Sequence, residues 1–292
     1  MISILITNYN TWDLCLRSID SITAEELKYL SEIIIVDDAS DQSPPKELVE
    51  HPLVQIQENR VNKGYAACVN QAFELAKESI CLLLDSDAYL ISGTKFILEQ
   101  FSKHPQLGIL ALKLVDEHGK TTGRAEPEVK VWGLLLGQQL DAKIGKYLYK
   151  PSNNWSIFSC GMAVRKEAFI AVNGFDTTFD FLDADHDFSM KINRSGWKIS
   201  FEDQCVIYHV GNGSPQSTAK RVIRFYKNRR KLLCKYDLYN YPKLFDGLIY
   251  TRVSLEKLVL KFLKLISNDN EILSDKILSR QNILFFLRNN DK

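Results

Sequence analysis

Apolar runs of strand length recur through the first 115 residues, and each gives way to side chains bearing oxygen or nitrogen. "ISILIT" (2–7) runs into Thr7 and Asn8, "EIIIVDD" (32–38) ends in Asp37 and Asp38, "LVQIQEN" (53–59) ends in Asn59, and "ICLLLD" (80–85) opens Asp85-Ser86-Asp87. Segments of helical character separate them, near 13–29, over 64–78 and over 94–103, before a further strand-like run at 107–115. Near-continuous apolar strands alternating with helices mean βαβ units and a mostly parallel sheet. Ligands of such sheets collect beyond the carboxyl ends of the strands. The four polar strand ends therefore mark one rim.

Residues 116–155 show no period and read as loops with a short helix. A strand is expected over 156–166, a helix over 184–196 and a strand over 197–210, with helices alone beyond Pro215. The expected division is a nucleotide-binding α/β domain over 1–215 and a helical extension over 216–292. No apolar run approaches the roughly 20 residues of a spanning helix, and "MISILITNYN" lacks the basic start of a signal peptide. Six cysteines without a C-x-x-C pair fit reduced thiols, and a cytoplasmic location is expected. The net charge of +1 hides a division: residues 217–292 hold 17 Lys/Arg against 7 Asp/Glu, the rest 20 against 29.

The rim's chemistry comes next. The turn "TNYNTWD" holds no glycine, so the dinucleotide fingerprint is missing where it belongs, and the P-loop motif does not occur. In extended backbone, residues i and i+2 point the same way, so Asp85 and Asp87 converge. Paired carboxylates repel unless something positive sits between them. A hard divalent cation suits that place and leaves positions open for a diphosphate. Taken alone, D-x-D is equally a solvated turn with capping aspartates.

In order along the chain, "SILITNYN", "IIIVDDAS", "NKGYAACVNQA", "LLLDSDAYL" and "GFDTTFDFLDADHDFSMKINRSGW" resemble the motifs of the GT-A glycosyltransferases. The resemblance is to the inverting family 2, including rhamnosyltransferase-like members, and covers roughly residues 2–230. It implies a GT-A fold, α/β with a Rossmann-like, mostly parallel sheet, here with a C-terminal helical extension. It places Thr7, Asn8, Tyr9, Asp38, Asn62, Lys63, Gly64, Asn70 and Asp85 against a nucleotide-sugar donor. Asp38 would accept the N3–H of a uracil or thymine base, an edge both share, so UDP and dTDP are not separated. Asp85, Asp87 and, after a late strand, His209 would hold Mn²⁺ or Mg²⁺. Asp185 matches the catalytic base, with Asp187 as the next candidate, but the glutamate usual before the base is Ala184. Arg224, Asn228 and Arg229 resemble a basic helix that holds pyrophosphate.

The implied activity is metal-dependent transfer of a sugar to a carbohydrate or lipid-linked acceptor in surface polysaccharide assembly. The rivals are a domain that binds sugar nucleotide or glycan without turnover, for which Ala184 is the hint, and a nucleotidyltransferase, which usually carries a Gly-rich loop that "TNYNTWD" does not supply. In the basic tail, Lys257, Lys261 and Lys264 fall at helical spacing among Leu258, Leu260, Phe262, Leu265 and Ile266. That pattern suits an anionic membrane surface, giving peripheral attachment, or helix packing, including a homodimer. Nucleic acid is disfavoured by the acidic front.

Overall fold

A computed structural model describes residues 1–137, 140, 141, 143, 154–179, 183–210, 218–266 and 270–289. They group into two compact units, Met1–Glu128 with Ser152–Gly213, and Val129–Pro151 with Ser214–Lys292. The segment Val129–Pro151, expected with the first domain, thus groups with the C-terminal helices.

Among the described residues the first unit holds ten strands: β1 Ile2–Asn8, β2 Leu30–Asp37, β3 Val54–Glu58, β4 Ile80–Asp85, β5 Ala88–Ser92, β6 Leu107–Val115, β7 Ala125–Pro127, β8 Trp155–Ile157, β9 Met162–Arg165 and β10 Lys198–His209. Eight form one sheet in the order β3-β2-β1-β4-β9-β6-β10-β5, and β7 pairs β8 separately. β1 is parallel to β2 and β4, β2 to β3, and β6 to β10, whereas β9 and β5 run antiparallel to their neighbours. Ile4, Ile33 and Leu82 on one face and Leu5, Ile34 and Leu83 on the other are all wholly buried, which is why these strands read as unbroken apolar runs. The register sets Asn8 opposite Asp37, Thr7 opposite Asp85, and Asp37 opposite Glu58. Four parallel strands therefore end level, and their polar ends do share one rim.

Three local expectations are revised. The helix near 13–29 is two, Trp12–Asp20 and Ala24–Leu27, the second started by Thr23, whose hydroxyl accepts from Glu26 N. The strand over 156–166 divides into β8 and β9 around a 3₁₀ turn at Ser159–Gly161. β5 was not foreseen, because five residues after a charged turn carry little pattern. β5 is followed at once by Gly93, whose φ of +102° and approach to the Gln204–Cys205 backbone leave no room for a side chain; a Cβ would lie 2.5 Å from Cys205 Cα. This contact presses the end of β5 onto β10.

In the second unit, helices Thr218–Lys235, Pro242–Ile266 and Asn270–Asn289 share a core including Leu232, Leu233, Ile249, Val253 and Ile283. Arg230 donates two bonds to Asp246, at 2.9 and 3.2 Å, and Tyr239 Oη donates a third at 2.7 Å. The Pro242–Ile266 helix leaves Leu244, Leu248, Leu255, Leu258, Phe262 and Leu265 exposed, at 51–84%. With Thr251 they fall at alternating spacings of four and three, the seam spacing of paired helices. At about 100° per residue, Lys257 and Lys264 lie roughly 130–150° around the helix from the middle of that stripe, and Lys261 roughly 90°. Lys257 and Lys264 thus face away from the stripe, while Lys261 borders it beside Leu258 and Leu265.

Candidate active site

Asp85 closes β4 and Asp87 follows in a turn, not in extended backbone, so the strand argument for their convergence does not hold. The turn is fixed instead by its surroundings. Thr11 Oγ1, its proton given to Asn8, accepts from Ser86 Oγ at 2.9 Å, while Ser18 Oγ donates to Ala88 O at 2.6 Å and Val210 N to Asp87 O at 3.2 Å. The antiparallel pairing of β10 with β5 sets His209 opposite Ala88. Its Nε2 consequently lies 3.4 Å from Asp87 Oδ1 and 3.8 Å from Asp85 Oδ2. Cys160, from the 3₁₀ turn, brings its sulfur within 4.8 Å of donor atoms on Asp85 and His209.

The electrostatics follow from this crowding. Burial pushes the Asp85 carboxyl up to about 6; His209 opposes the shift, while Asp87 and Asp185 add to it. Hydrogen bonding to Asp87 raises the His209 pKa against the effect of burial. Burial raises the Tyr65 phenol and the Cys160 thiol, with both Asp85 and Asp185 contributing. Asp185 thus acts electrostatically on the same group of side chains as the paired aspartates. Two carboxylates and an imidazole, converging where carboxylate charge is disfavoured, form a hard O/N donor set that fits a divalent cation.

Asp38 occupies the next part of the rim. Its Oδ1 accepts from Lys63 N at 2.7 Å and its Oδ2 from Gly64 N at 2.8 Å, while Asn62 Nδ2 donates to its carbonyl at 3.2 Å. The carboxylate therefore fastens the turn that starts the Tyr65–Leu75 helix, where Gly64 has a φ of +87°. Oδ1 also accepts from Asn59 Nδ2 at 3.4 Å, so Oδ2 is the oxygen with a lone pair left to accept a base N–H. Tyr9 is half exposed on this rim, Thr7 is partly buried, and Asn62 and Lys63 are exposed.

Three residues expected to act directly are drawn into the framework instead. Asn8 is buried, donating to Asp37 at 2.6 Å and accepting from Thr11 Oγ1 at 2.7 Å. Asn70 clasps the Phe175 backbone, accepting from N at 2.8 Å and donating to O at 2.9 Å. Gly174 sits against this clasp with φ +56°, and a Cβ there would meet Asn70 Oδ1 at 2.7 Å. Asp187 is wholly buried on the Ala184–Arg194 helix, 3.6 Å from Lys191 Nζ, which also donates to Gly174 O. Each is polar because a loop needs tying down, a need that sequence alone does not separate from ligand binding.

Asp185, two residues earlier, stays partly exposed. Phe175 stacks on Phe188 at 4.7 Å and Phe73 on Phe169 at 3.6 Å, and these rings lock its helix to the Tyr65–Leu75 helix. Arg224, Asn228 and Arg229 belong to the second unit, where the Arg229 guanidinium lies 4.9 Å over the Phe225 ring.

Residues 3–172, more than half of the chain, match the profile of Glycosyl transferase family 2. The chain belongs to that family. An uncharacterized glycosyltransferase of Nostoc sp. (strain PCC 7120) is 24% identical over 219 residues, covering 71% of this chain and 58% of that protein. This family member therefore spans less than two thirds of that relative's length. Among solved structures, it is similar to the mannosyltransferase PcManGT from Pyrobaculum calidifontis in complex with GDP-Man and Mn²⁺, with a TM-score of 0.59, 13% identity, and 100% and 88% of the two chains covered. It is also similar to GalNAc-T7 with UDP, GalNAc and Mn²⁺, with a TM-score of 0.54, 16% identity, and 79% and 47% covered. At such identities the likeness concerns the fold, and the fold is GT-A, with C-terminal helices added.

Proposed function

We propose that this family 2 member transfers a hexose or deoxyhexose, with inversion, from a UDP- or dTDP-sugar to a carbohydrate or lipid-linked acceptor. The observation that carries this reading is the convergence of Asp85, Asp87 and His209 at the carboxyl ends of the strands, with Asp185 acting on the same cluster. Asp85, Asp87 and His209 would hold Mn²⁺ or Mg²⁺, and the bound cation would neutralise the departing diphosphate. Asp38 binds the base, and Tyr9 and Lys63 border the nucleotide. Asp185 takes the acceptor hydroxyl's proton as that oxygen attacks the anomeric carbon and the sugar–phosphate bond breaks. Surface polysaccharide assembly in the cytoplasm is the process this chemistry suits. Among the described residues no helix is long and apolar enough to cross a membrane.

Thermal shifts with UDP-, dTDP- and GDP-sugars, each with and without Mn²⁺, test the donor. A matched donor raises the melting temperature by mass action, and the uracil or thymine donors are expected to do so more than GDP-mannose. A larger shift with GDP-mannose overturns the base assignment. Release of free sugar from the stabilising donor, or its transfer, rules out a binding-only domain.

The placement of the lysines bears on the second unit's partner. An anionic bilayer would need the lysines beside the apolar stripe, and only Lys261 of the three borders it. The uncharged, seam-spaced stripe instead favours a second copy of the chain. Sedimentation should show a dimer that persists in high salt, and Phe262→Asp should yield monomer. Salt-reversible pelleting with anionic vesicles, without a dimer, would restore the membrane reading.

A further inference from the structure

The imidazole of His186 stands between two carboxylates. Its Nδ1 is 2.9 Å from Asp185 Oδ1 and its Nε2 is 2.5 Å from Glu126 Oε1. We propose that Glu126 and His186 form a positioning pair that orients Asp185 and sets its charge environment, an inference that rests on reading Asp185 as the base.

The geometry specifies how. Asp185 Oδ1 accepts two hydrogen bonds, from His186 Nδ1 and from the His186 backbone N–H at 2.8 Å. The carboxyl plane is thereby fixed, and Oδ2 is the oxygen assigned to the acceptor's proton. A neutral imidazole has one N–H and one lone pair. With both acids ionised, a lone pair would face a carboxylate at one end, so the ring is bonded at both ends only as imidazolium. Glu126 shares that cation, leaving the three groups with one net negative charge.

Glu126 does not reach this position by chance of a loose loop. β7 and β8 pair with Glu126 opposite Ser156, and this small sheet is tied to the helix that carries Asp185 and His186. Ile157 N donates to Ser189 Oγ at 2.9 Å, Asn193 Nδ2 to Trp155 O at 3.0 Å, and Arg194 pairs with Glu128. The side-chain exposures run from 18% at Asp185 through 8% at His186 to 42% at Glu126. Ala184, which stands where the family motif has glutamate, is wholly buried. The second carboxylate arrives instead from β7, through the imidazole.

Glu126→Gln keeps shape and exposure but removes the charge. The expected result is a fall in kcat of about 10–100-fold, the usual range for a supporting partner, with donor KM and melting temperature unchanged. A second readout needs no turnover: ¹⁵N-labelled histidine should show both His186 ring nitrogens protonated at neutral pH, and one unprotonated in Glu126→Gln. His186→Gln identifies the signals. An unchanged kcat in Glu126→Gln, alongside a collapsed kcat in Asp185→Asn, overturns the pair but leaves the base in place. An unchanged kcat in Asp185→Asn overturns the base and the pair with it. A neutral His186 in the unaltered protein, or a kcat loss matched by a drop in melting temperature, also removes the proposal.

Discussion

Asp185→Asn lowers turnover by about 10²–10⁴-fold, the range for loss of a general base, while donor binding and melting temperature stay where they are. Asparagine retains an oxygen to accept the two bonds from His186, so the local frame survives. What it lacks is an oxygen able to take a proton at the Oδ2 position. The informative comparison is Asp187→Asn two residues on. That carboxylate is wholly buried beside Lys191 and braces the helix against the Gly174 turn, so its loss should cost about 1–3 kcal/mol of stability and leave kcat per folded molecule nearly unchanged. Single-turnover rates and thermal melts on both variants separate the two roles. The opposite pattern, slow Asp187→Asn and fast Asp185→Asn, would move the base to Asp187.

The second large effect is expected at Asp87. Asp87→Ala should remove the stabilisation that Mn²⁺ gives the donor-bound protein and reduce transfer to background, without loss of the metal-free fold. The acidity of the site adds a pH test. Asp85 titrates near 6 in the folded protein against 3.8 for the ordinary carboxyl, and the His209 pKa is also raised. Both groups hold protons that a cation has to displace, so Mn²⁺ affinity should fall as pH drops through about 6. Without metal, the linkage runs as a raised carboxyl requires. Asp85 favours the folded state below the unfolded pKa, and this contribution is lost as pH rises through about 6. Asp85→Asn should therefore raise the metal-free melting temperature at pH 8, by roughly half as much near pH 5, and have little effect below about pH 4. A melting difference independent of pH would show that Asp85 carries no unusual proton.

The parts of this molecule that the sequence discloses are those written locally. β1, β2 and β4 are apolar on both faces and end in polar side chains, and that pattern survives without any knowledge of neighbours. β5 and β9 are short and antiparallel, and their identity lies in distant partners rather than in period. The same holds at the site. Asp85, Asp87 and Asp185 sit at strand or helix ends, where motif spacing points to them. Cys160 joins them only because β9 runs back beside β4, and Glu126 only because β7 is tied to a helix far along the chain. Asn8 and Asn70 show the converse. Both lie in the right motifs, yet the direction of an amide is decided by the packing around it.

The sheet order also imposes a schedule. β5 sits at the edge of the sheet with β10 as its strand neighbour, although it is made right after β4. A ribosome adding roughly 5–20 residues per second finishes β5 roughly 5–20 seconds before it finishes the start of β10. During that interval β1 to β4 can already pair, and the Asp38 rim can take shape. Asp87, however, has neither the bond from Val210 N nor His209. The Asp38 end of the rim is thus completed early and the corner of Asp85, Asp87 and His209 last, so a growing chain lacks the donor set proposed for the cation until nearly all of its first unit has been made.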